Sequence, residues 1–387
     1  MNPKNTVRTG SIVDTAQLRT RGQVRGALAA VVMLALVPAT SCTAKQDVTR
    51  SELNDSPSGA PARLRLETVR SILEDSKGNY WFGSWKEGVC RFDGKSLTYF
   101  TVEDGLSDNQ IRSIHEDRNG VVWFEGGVGI SGFDGERIIT PTNRNYTSKD
   151  DWQLGTGDLW FKEDGAVGAT ELEAQPGVYR YDGETFTYLA YPVPADRARV
   201  SAYATTGIAK GKSGRRWFAT YTAVFGYDGE SFTIIDDKSL GLNEGTGLLH
   251  VRCVFEDSKG NLWIGNNGIG VILHDGSAAT QFTQEKGLGK LGPHGGRTAP
   301  QPGDVTDGSP TLHRVFSIGE DRAGNIWFGT VEHGAWRYDG KSLRNYTAED
   351  GLTSKDIMGI YTDRQGDLWL AGNGVFKFNG DSFDRIH

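Results

Sequence analysis

Short stretches of apolar, β-branched and aromatic residues alternate with Gly- and Asp-containing turns from about residue 69 to the end of the chain. In the first unit these stretches are 69–75, 80–84, 88–93 and 96–101, which is the length and composition of β-strands. The tetrapeptide SKGN joins the first two stretches. The dipeptide Asp93-Gly94, which tolerates positive φ angles, joins the last two. No window has the pattern of a long amphipathic helix, so the sequence predicts four-stranded antiparallel units and an all-β fold.

This unit recurs seven times, and each copy is marked by a tryptophan that precedes Phe, Ile or Leu. A single four-stranded sheet cannot bury both of its faces, whereas seven sheets packed radially can. We therefore expect a seven-bladed β-propeller over residues 63–387, with each of these tryptophans wedged between neighbouring blades. The predicted blades are 63–108, 109–142, 143–200, 201–248, 249–312, 313–354 and 355–387. The tryptophans are Trp81, Trp123, Trp160, Trp217, Trp263, Trp327 and Trp369.

The N-terminal region has the pattern of an export signal. Residues 1–26 are basic, residues 27–37 are apolar, and small residues follow up to Cys42. Eleven apolar residues are too few to span a bilayer but suit a signal peptide. We expect residues 1–41 to be removed and Cys42 to be lipidated as in bacterial lipoproteins. The alternative is ordinary cleavage near Ala39 or Ala44. Residues 42–62 are polar and are expected to form a flexible tether between the lipid anchor and the propeller. The protein is therefore expected to be extracytoplasmic and membrane-anchored.

Charge and cysteine content narrow the classes of function. The full chain has a net charge of −7, and removal of residues 1–41 changes it to −11, because that segment holds five basic residues and one acid. An acidic surface repels phosphate backbones, so we do not expect nucleic-acid binding. Three cysteines cannot build a disulfide scaffold, and Cys90 and Cys253 are expected to be buried free thiols. The aspartates before the SKGN-like turns suit turn hydrogen bonds rather than calcium, so neither a metal nor a cofactor is expected.

Two segments carry a family resemblance: SILEDSKGNYWFGSWKEGVCRFDGKSLTYFTVEDGL (71–106) and SIGEDRAGNIWFGTVEHGAWRYDGKSLRNYTAEDGL (317–352). They resemble the two-component regulator propeller repeat. In that family such propellers usually form the periplasmic sensor region of membrane histidine kinases and are thought to recognise ligands, often carbohydrates. The chain shows no kinase core, response-regulator segment or transmembrane helix. The resemblance therefore implies the sensing or binding half of such a system, without kinase activity.

Loop lengths indicate where a ligand would bind. Turns between first and second strands are uniformly short, whereas every long insertion (140–156, 162–177, 236–249 and 283–313) falls on the opposite face. Long loops on one rim of a rigid scaffold are typical binding sites. We expect a glycan, another small anionic ligand or a partner protein to bind there. The candidate residues are Arg70, Trp85, Lys86, Arg112, Glu125, Lys162, Tyr221, Arg252, Asn266, His313, Arg314, Glu332, His333 and Asn373.

Arg70, Arg112 and Arg252 occupy the same position in three repeats, so a radial array should bring them together. Clustered guanidinium groups suit a carboxylate or sulfate, and with Trp85 and Tyr221 they would suit an acidic sugar. The other possibility is that each arginine pairs with an acid of the next blade. The sequence leaves both open.

Two other functional classes stay open. One is a protein-interaction scaffold without a small ligand. The other is a lyase or hydrolase similar to the streptogramin lyases, which are propellers that use a metal and histidines. The seven histidines show no metal-like spacing and no G-x-S-x-G motif is present, so a non-catalytic protein is favoured. The oligomeric state is not predicted.

Overall fold

The structure is a computed structural model that describes residues 64–141, 144–145, 152–162, 176–193, 200–292, 297–301 and 304–386. The predicted signal peptide, Cys42 and the tether of residues 42–62 lie outside the described residues. Within the described residues, no helix combines the length and the apolar character needed to cross a bilayer.

The described residues form 28 strands in seven four-stranded sheets, together with short helical turns. Blade by blade, the strands are β1 (Val69–Glu74), β2 (Tyr80–Ser84), β3 (Val89–Phe92) and β4 (Leu97–Phe100); β5 (Ile111–Glu116), β6 (Val122–Gly126), β7 (Ile130–Phe133) and β8 (Ile138–Ile139); β9 (Arg144–Asn145), β10 (Leu159–Phe161), β11 (Gly177–Tyr181) and β12 (Phe186–Ala190); β13 (Thr205–Lys210), β14 (Arg216–Thr220), β15 (Ala223–Tyr227) and β16 (Phe232–Asp236); β17 (Val251–Glu256), β18 (Leu262–Asn266), β19 (Val271–His274) and β20 (Ala279–Thr280); β21 (Val315–Glu320), β22 (Ile326–Thr330), β23 (Ala335–Tyr338) and β24 (Leu343–Tyr346); and β25 (Ile357–Thr362), β26 (Leu368–Gly372), β27 (Gly374–Phe378) and β28 (Phe383–Ile386). The α-helix is α1 (Phe282–Glu285), and the 3-10 turns are Val102–Asp104, Val200–Tyr203 and Ala348–Asp350.

The predicted seven-bladed β-propeller is confirmed. In six blades the four strands pair antiparallel in chain order, and their first strands line the centre of the ring. Blade three departs from this order in one respect. Its sheet runs β10-β11-β12-β9, and β9 pairs parallel to β12 at the outer edge. Among its described residues, no strand lies inside β10 at the position that β1 or β5 takes in the neighbouring blades.

Buried tryptophans join each blade to the next, as the sequence predicts. Trp81 is fully buried, and its ring centroid lies 5.3 Å from those of Phe124 and Phe133 in blade two. The indole nitrogen needs a partner in this apolar site. It donates to Asp75 at 2.8 Å, and Asp75 also accepts the backbone N–H groups of its own turn. The same indole-to-aspartate bond recurs in blades two, five, six and seven.

A glutamate at the end of the first strand forms a second link between blades. The carboxylate of Glu116 accepts the backbone N–H of Ser76, which lies in the preceding blade. Glu256 and Glu320 accept from blades four and five in the same way. Glu74 of blade one accepts from Arg364 of blade seven at 2.9 Å, so the ring closes by the contact that also holds successive blades.

We expect Asp257→Ala to lower the free energy of unfolding by about 1–3 kcal/mol, because it leaves the buried Trp263 indole and two turn N–H groups without their acceptor. Burial acts to raise the pKa of Asp257, but hydrogen bonds from Trp263 and Asn261 bring it below its ordinary value. The contribution is therefore present at neutral pH and disappears as the pH falls through the folded-state pKa.

Chemical denaturation at neutral and acidic pH measures this difference. Glu349→Ala is the control, because it removes an exposed carboxylate from a 3-10 turn. Equal stability of the two variants at neutral pH would contradict the structural role of Asp257.

Candidate functional site

The centre of the ring encloses a cavity of about 880 Å³. Its wall is formed by the first strands of six blades, by β10 of blade three, and by the loops that carry Trp85 and Tyr221. Its volume lies in the range typical of small-molecule sites.

One β-bulge in each first strand explains which side chains reach the cavity. In β1 the pairing register with β2 shifts between Val69 and Ser71, which places Arg70 at the bulge. The other five first strands shift at the equivalent position. A bulge leaves one residue outside the ladder and re-aims its side chain. The resulting set, which we call the bulge ring, is Arg70, Arg112, Thr206, Arg252, Phe316 and Met358.

The three arginines of the bulge ring are held by aromatic and neutral groups. The guanidinium of Arg70 lies 3.9 Å from the ring centroid of Trp85. That of Arg252 lies 5.2 Å from the Tyr221 ring and 4.9 Å from the Phe316 ring. Arg112 donates to the Gln110 side chain at 3.4 Å. None of the three has a carboxylate within ion-pair distance among the described residues, so their charges are positioned but not neutralised.

The electrostatics of the cavity reflect this crowding of positive charge. Burial, and then the charges of Arg112 and Arg252, lower the pKa of Arg70 to about 10. Burial also lowers the pKa of Lys162; the charge of Glu125 opposes this shift, and Arg112 and Arg70 add to it. Such shifts show that the folded protein disfavours the charged forms of these side chains in the absence of an anion.

One carboxylate lines the cavity among the described residues, and its oxygens are already used. Glu125 Oε1 accepts the backbone N–H of Lys162 at 2.8 Å, and Oε2 accepts the Ser113 hydroxyl at 2.5 Å. His115 is hydrogen-bonded to Ser113, and burial lowers its pKa to about 4, so it is neutral at pH 7. The described wall therefore presents four cations, Arg70, Arg112, Arg252 and Lys162, against one anion.

Comparison with known proteins agrees with the repeat pattern. The family model described as "two component regulator propeller" matches residues 64–86, 105–124, 247–268, 309–332 and 351–374. Five segments of the propeller therefore match this repeat. Among curated proteins, none is significantly similar in sequence.

Solved structures similar to this propeller include two extracellular domains from B. thetaiotaomicron. The extracellular domain of the putative hybrid two-component system BT3049 has a TM-score of 0.58 and 17% identity, and the match covers 82% of this chain and 40% of that one. The extracellular domain of the putative one-component system BT4673 has a TM-score of 0.53 and 19% identity, and the match covers 80% of this chain and 38% of that one. The chain thus spans less than half the length of these two domains.

A virginiamycin B lyase from Staphylococcus aureus is also similar, at a TM-score of 0.43 and 13% identity over 84% of this chain and 86% of that one. That similarity is too weak to support the lyase alternative. No group of three or more His, Cys, Asp or Glu side chains that could hold a metal ion is found in the described part of the chain.

The propeller gathers half of the sequence-predicted candidates at the cavity: Arg70, Trp85, Arg112, Glu125, Lys162, Tyr221 and Arg252. Among the described residues, Arg70, Arg112 and Arg252 form no ion pair with an acid of the next blade, which was the other possibility that the sequence left open. Arg70 lies over one face of the Trp85 ring, so these two predicted residues are in direct contact.

The other seven candidates lie outside the cavity wall. Arg314 pairs with Glu332 at 3.1 Å and with Asn267. Lys86 lies 3.9 Å from both Glu67 and Glu87.

The remaining four serve local structure or lie at the surface. Asn266 is buried and bonds backbone groups of its own loop. His313 is hydrogen-bonded to Thr311, and its ring lies 6.1 Å from that of His333. Asn373 is exposed, and its backbone N–H donates to Ser354.

Sequence reasoning missed Thr206, Phe316 and Met358 in the bulge ring. They share the repeat position of Arg70, so counting that position in every repeat would have found them. The thiols follow expectation in part: Cys90 is buried, whereas Cys253 is half-buried at the cavity wall, where burial raises its pKa to about 12.

We expect Arg70→Met to leave the melting temperature unchanged or to raise it, because the folded-state pKa of Arg70 lies below its ordinary value and its buried charge therefore opposes folding at neutral pH. Arg364→Met is the contrasting variant. It removes bonds to the backbone oxygens of Asp75 and Glu74 and should cost about 1–2 kcal/mol. Thermal unfolding measures both, and a clear loss of stability in Arg70→Met would assign Arg70 a structural role.

Proposed function

We propose that this propeller is an extracytoplasmic recognition protein that binds a small carboxylated ligand, such as an acidic sugar, in its central cavity. The observation that carries the proposal is the set of four cations around one cavity, none of which forms an ion pair with a carboxylate among the described residues. It stands out because the chain as a whole has a net charge of −7. A local cationic cavity in an acidic protein concentrates anions where the rest of the surface repels them.

The physical form of the site suits a carboxylate. Guanidinium groups bind carboxylates through two parallel hydrogen bonds, and the aromatic rings beneath Arg70 and Arg252 restrict both side chains before binding. Burial lowers the pKa of Arg70 most, and repulsion from Arg112 and Arg252 adds to it; a bound anion would also relieve this repulsion. Because the arginine side chains are already restricted, they lose little conformational entropy on binding. This effect and the relief of repulsion both favour the ligand-bound state.

The cellular setting is part of the same proposal. The basic, apolar and small-residue segments before Cys42 support export, and Cys42 would carry a lipid anchor. The structural similarity to extracellular domains of regulators agrees with a recognition role outside the cytoplasm. The propeller itself would supply recognition, not phosphotransfer.

A partner protein is the second candidate. Trp85 and Val128 lie in neighbouring second-to-third strand loops and are 40% and 51% exposed. Exposed apolar side chains on one rim favour a protein contact, and such a contact would place an acidic side chain of the partner over the cavity mouth.

Calorimetric titration with glucuronate and with glucose tests the anionic-ligand proposal, because the two sugars differ by one carboxylate. We expect glucuronate to bind and glucose to bind at least tenfold more weakly. Arg112→Met should weaken glucuronate binding by about tenfold or more, the usual scale for loss of a charged hydrogen bond. Equal affinities for the two sugars, or an unaffected Arg112→Met variant, would remove the carboxylate from the proposal. Capture of a protein without binding of any small acid would favour the second candidate.

A further inference from the structure

One position near the core tryptophan is small in most blades and large and charged in two of them. Two residues after that tryptophan, five blades carry Gly or Ala: Gly83, Ala219, Gly265, Gly329 and Ala371. The first strand of the next blade packs directly against this position. A Cβ atom added at Gly83 would lie 2.6 Å from Ile111, and one at Gly329 would lie 2.5 Å from the backbone oxygen of Ile357.

Blades two and three carry Glu125 and Lys162 at the same position. Glu125 would face the first strand of blade three, and the described residues of that blade include no such strand. Lys162 follows β10, which also has no first strand beside it among the described residues. Both side chains line the cavity together with Trp160 and His115, and we call these four residues the blade-three recess.

The two charged groups of the blade-three recess differ in their partners: the carboxylate of Glu125 already accepts hydrogen bonds, whereas the ammonium group of Lys162 is available to a ligand. Glu125 is 2% exposed and accepts hydrogen bonds from the Ser113 hydroxyl and the backbone N–H of Lys162. It therefore holds the end of β10 against blade two. The ammonium group of Lys162 has no carboxylate within ion-pair distance among the described residues. His115 is neutral at pH 7 and adds no charge.

The cations of the cavity thus come from two walls. Arg70, Arg112 and Arg252 belong to the bulge ring, whereas Lys162 directly follows β10 of blade three. We propose that the blade-three recess is a second anionic subsite, in which Lys162 binds another acidic group of a ligand whose first carboxylate is held by the bulge-ring arginines. The ligand class is then a diacid. This inference rests on the proposed function of the same cavity.

Three six-carbon compounds test the inference by calorimetry, because they differ chiefly in the number of their carboxylates: glucarate has two, gluconate one and sorbitol none. Inorganic phosphate is the fourth probe, because it carries its charge on a single group. We expect glucarate to bind about tenfold or more tightly than gluconate or phosphate, and sorbitol not to bind.

Lys162→Met locates the second group. It should reduce glucarate affinity to that of gluconate and change gluconate affinity little, whereas Lys162→Arg should keep the preference for glucarate. Lys341→Met is the control, since Lys341 is exposed in a third-to-fourth strand turn. It should behave as the unchanged protein. Thermal unfolding of every variant separates lost binding from lost folding.

The outcomes distinguish failure of this inference from failure of the proposed function on which it rests. If gluconate and glucarate bind equally, or phosphate binds as tightly as glucarate, the second subsite is wrong and the carboxylate-binding cavity stands. A glucarate preference that survives in a folded Lys162→Met variant also overturns the role of Lys162. If none of the acids binds, the proposed function fails, and the inference fails with it.

Discussion

The hydrogen bond from a buried indole to a turn aspartate is the constraint on which the rest of the propeller depends. The tryptophan must be large and apolar to fill the gap between two diverging blades, yet its nitrogen would be costly to bury without a partner. Asp75 and its equivalents meet that need within the same turn that reverses the chain between first and second strands. This Trp–Asp pair thereby fixes both the shape of a blade and its packing against the next blade.

Blades three and four show what happens where this pair is incomplete. Gly211 stands at the aspartate position of blade four, and the Trp217 indole donates instead to Glu256 of blade five. Leu154 stands there in blade three, and the Trp160 nitrogen has no hydrogen-bond partner among the described residues. The cationic recess lies in this same region. The repeat is thus least regular where the cavity departs from sevenfold symmetry.

The fold could be predicted from the sequence because the same packing requirement recurs in every blade. Seven copies of the Trp motif and the Asp-Gly turns predict seven blades without knowledge of any distance. The convergence of Arg70, Arg112 and Arg252 follows from symmetry alone. The bulge was not predictable in the same way, because it is a backbone register shift with no residue type of its own, and Phe316 and Met358 share that register without sharing charge.

Glu125 and Lys162 mark the limit of that reasoning. At the equivalent Gly83, Gly265 and Gly329 a Cβ atom would lie less than 3 Å from an atom of a first strand, so a large residue at this position is a sequence signal for a departure from the regular blade packing. The signal can be interpreted only after the repeats are aligned strand by strand.

The same symmetry accounts for the balance between stability and charge in the cavity. A propeller places equivalent positions of all blades around one axis, so like charges at a repeated position must converge, and the rigid packing of the tryptophan interfaces prevents them from moving apart. The cost appears in the lowered pKa of Arg70, to which burial contributes most and the charges of Arg112 and Arg252 add. Occupancy by an anion would therefore change the electrostatics of the cavity more than the shape of the ring. The environment of Trp85 would change first, because this exposed indole lies against the guanidinium group of Arg70, which an anion would contact.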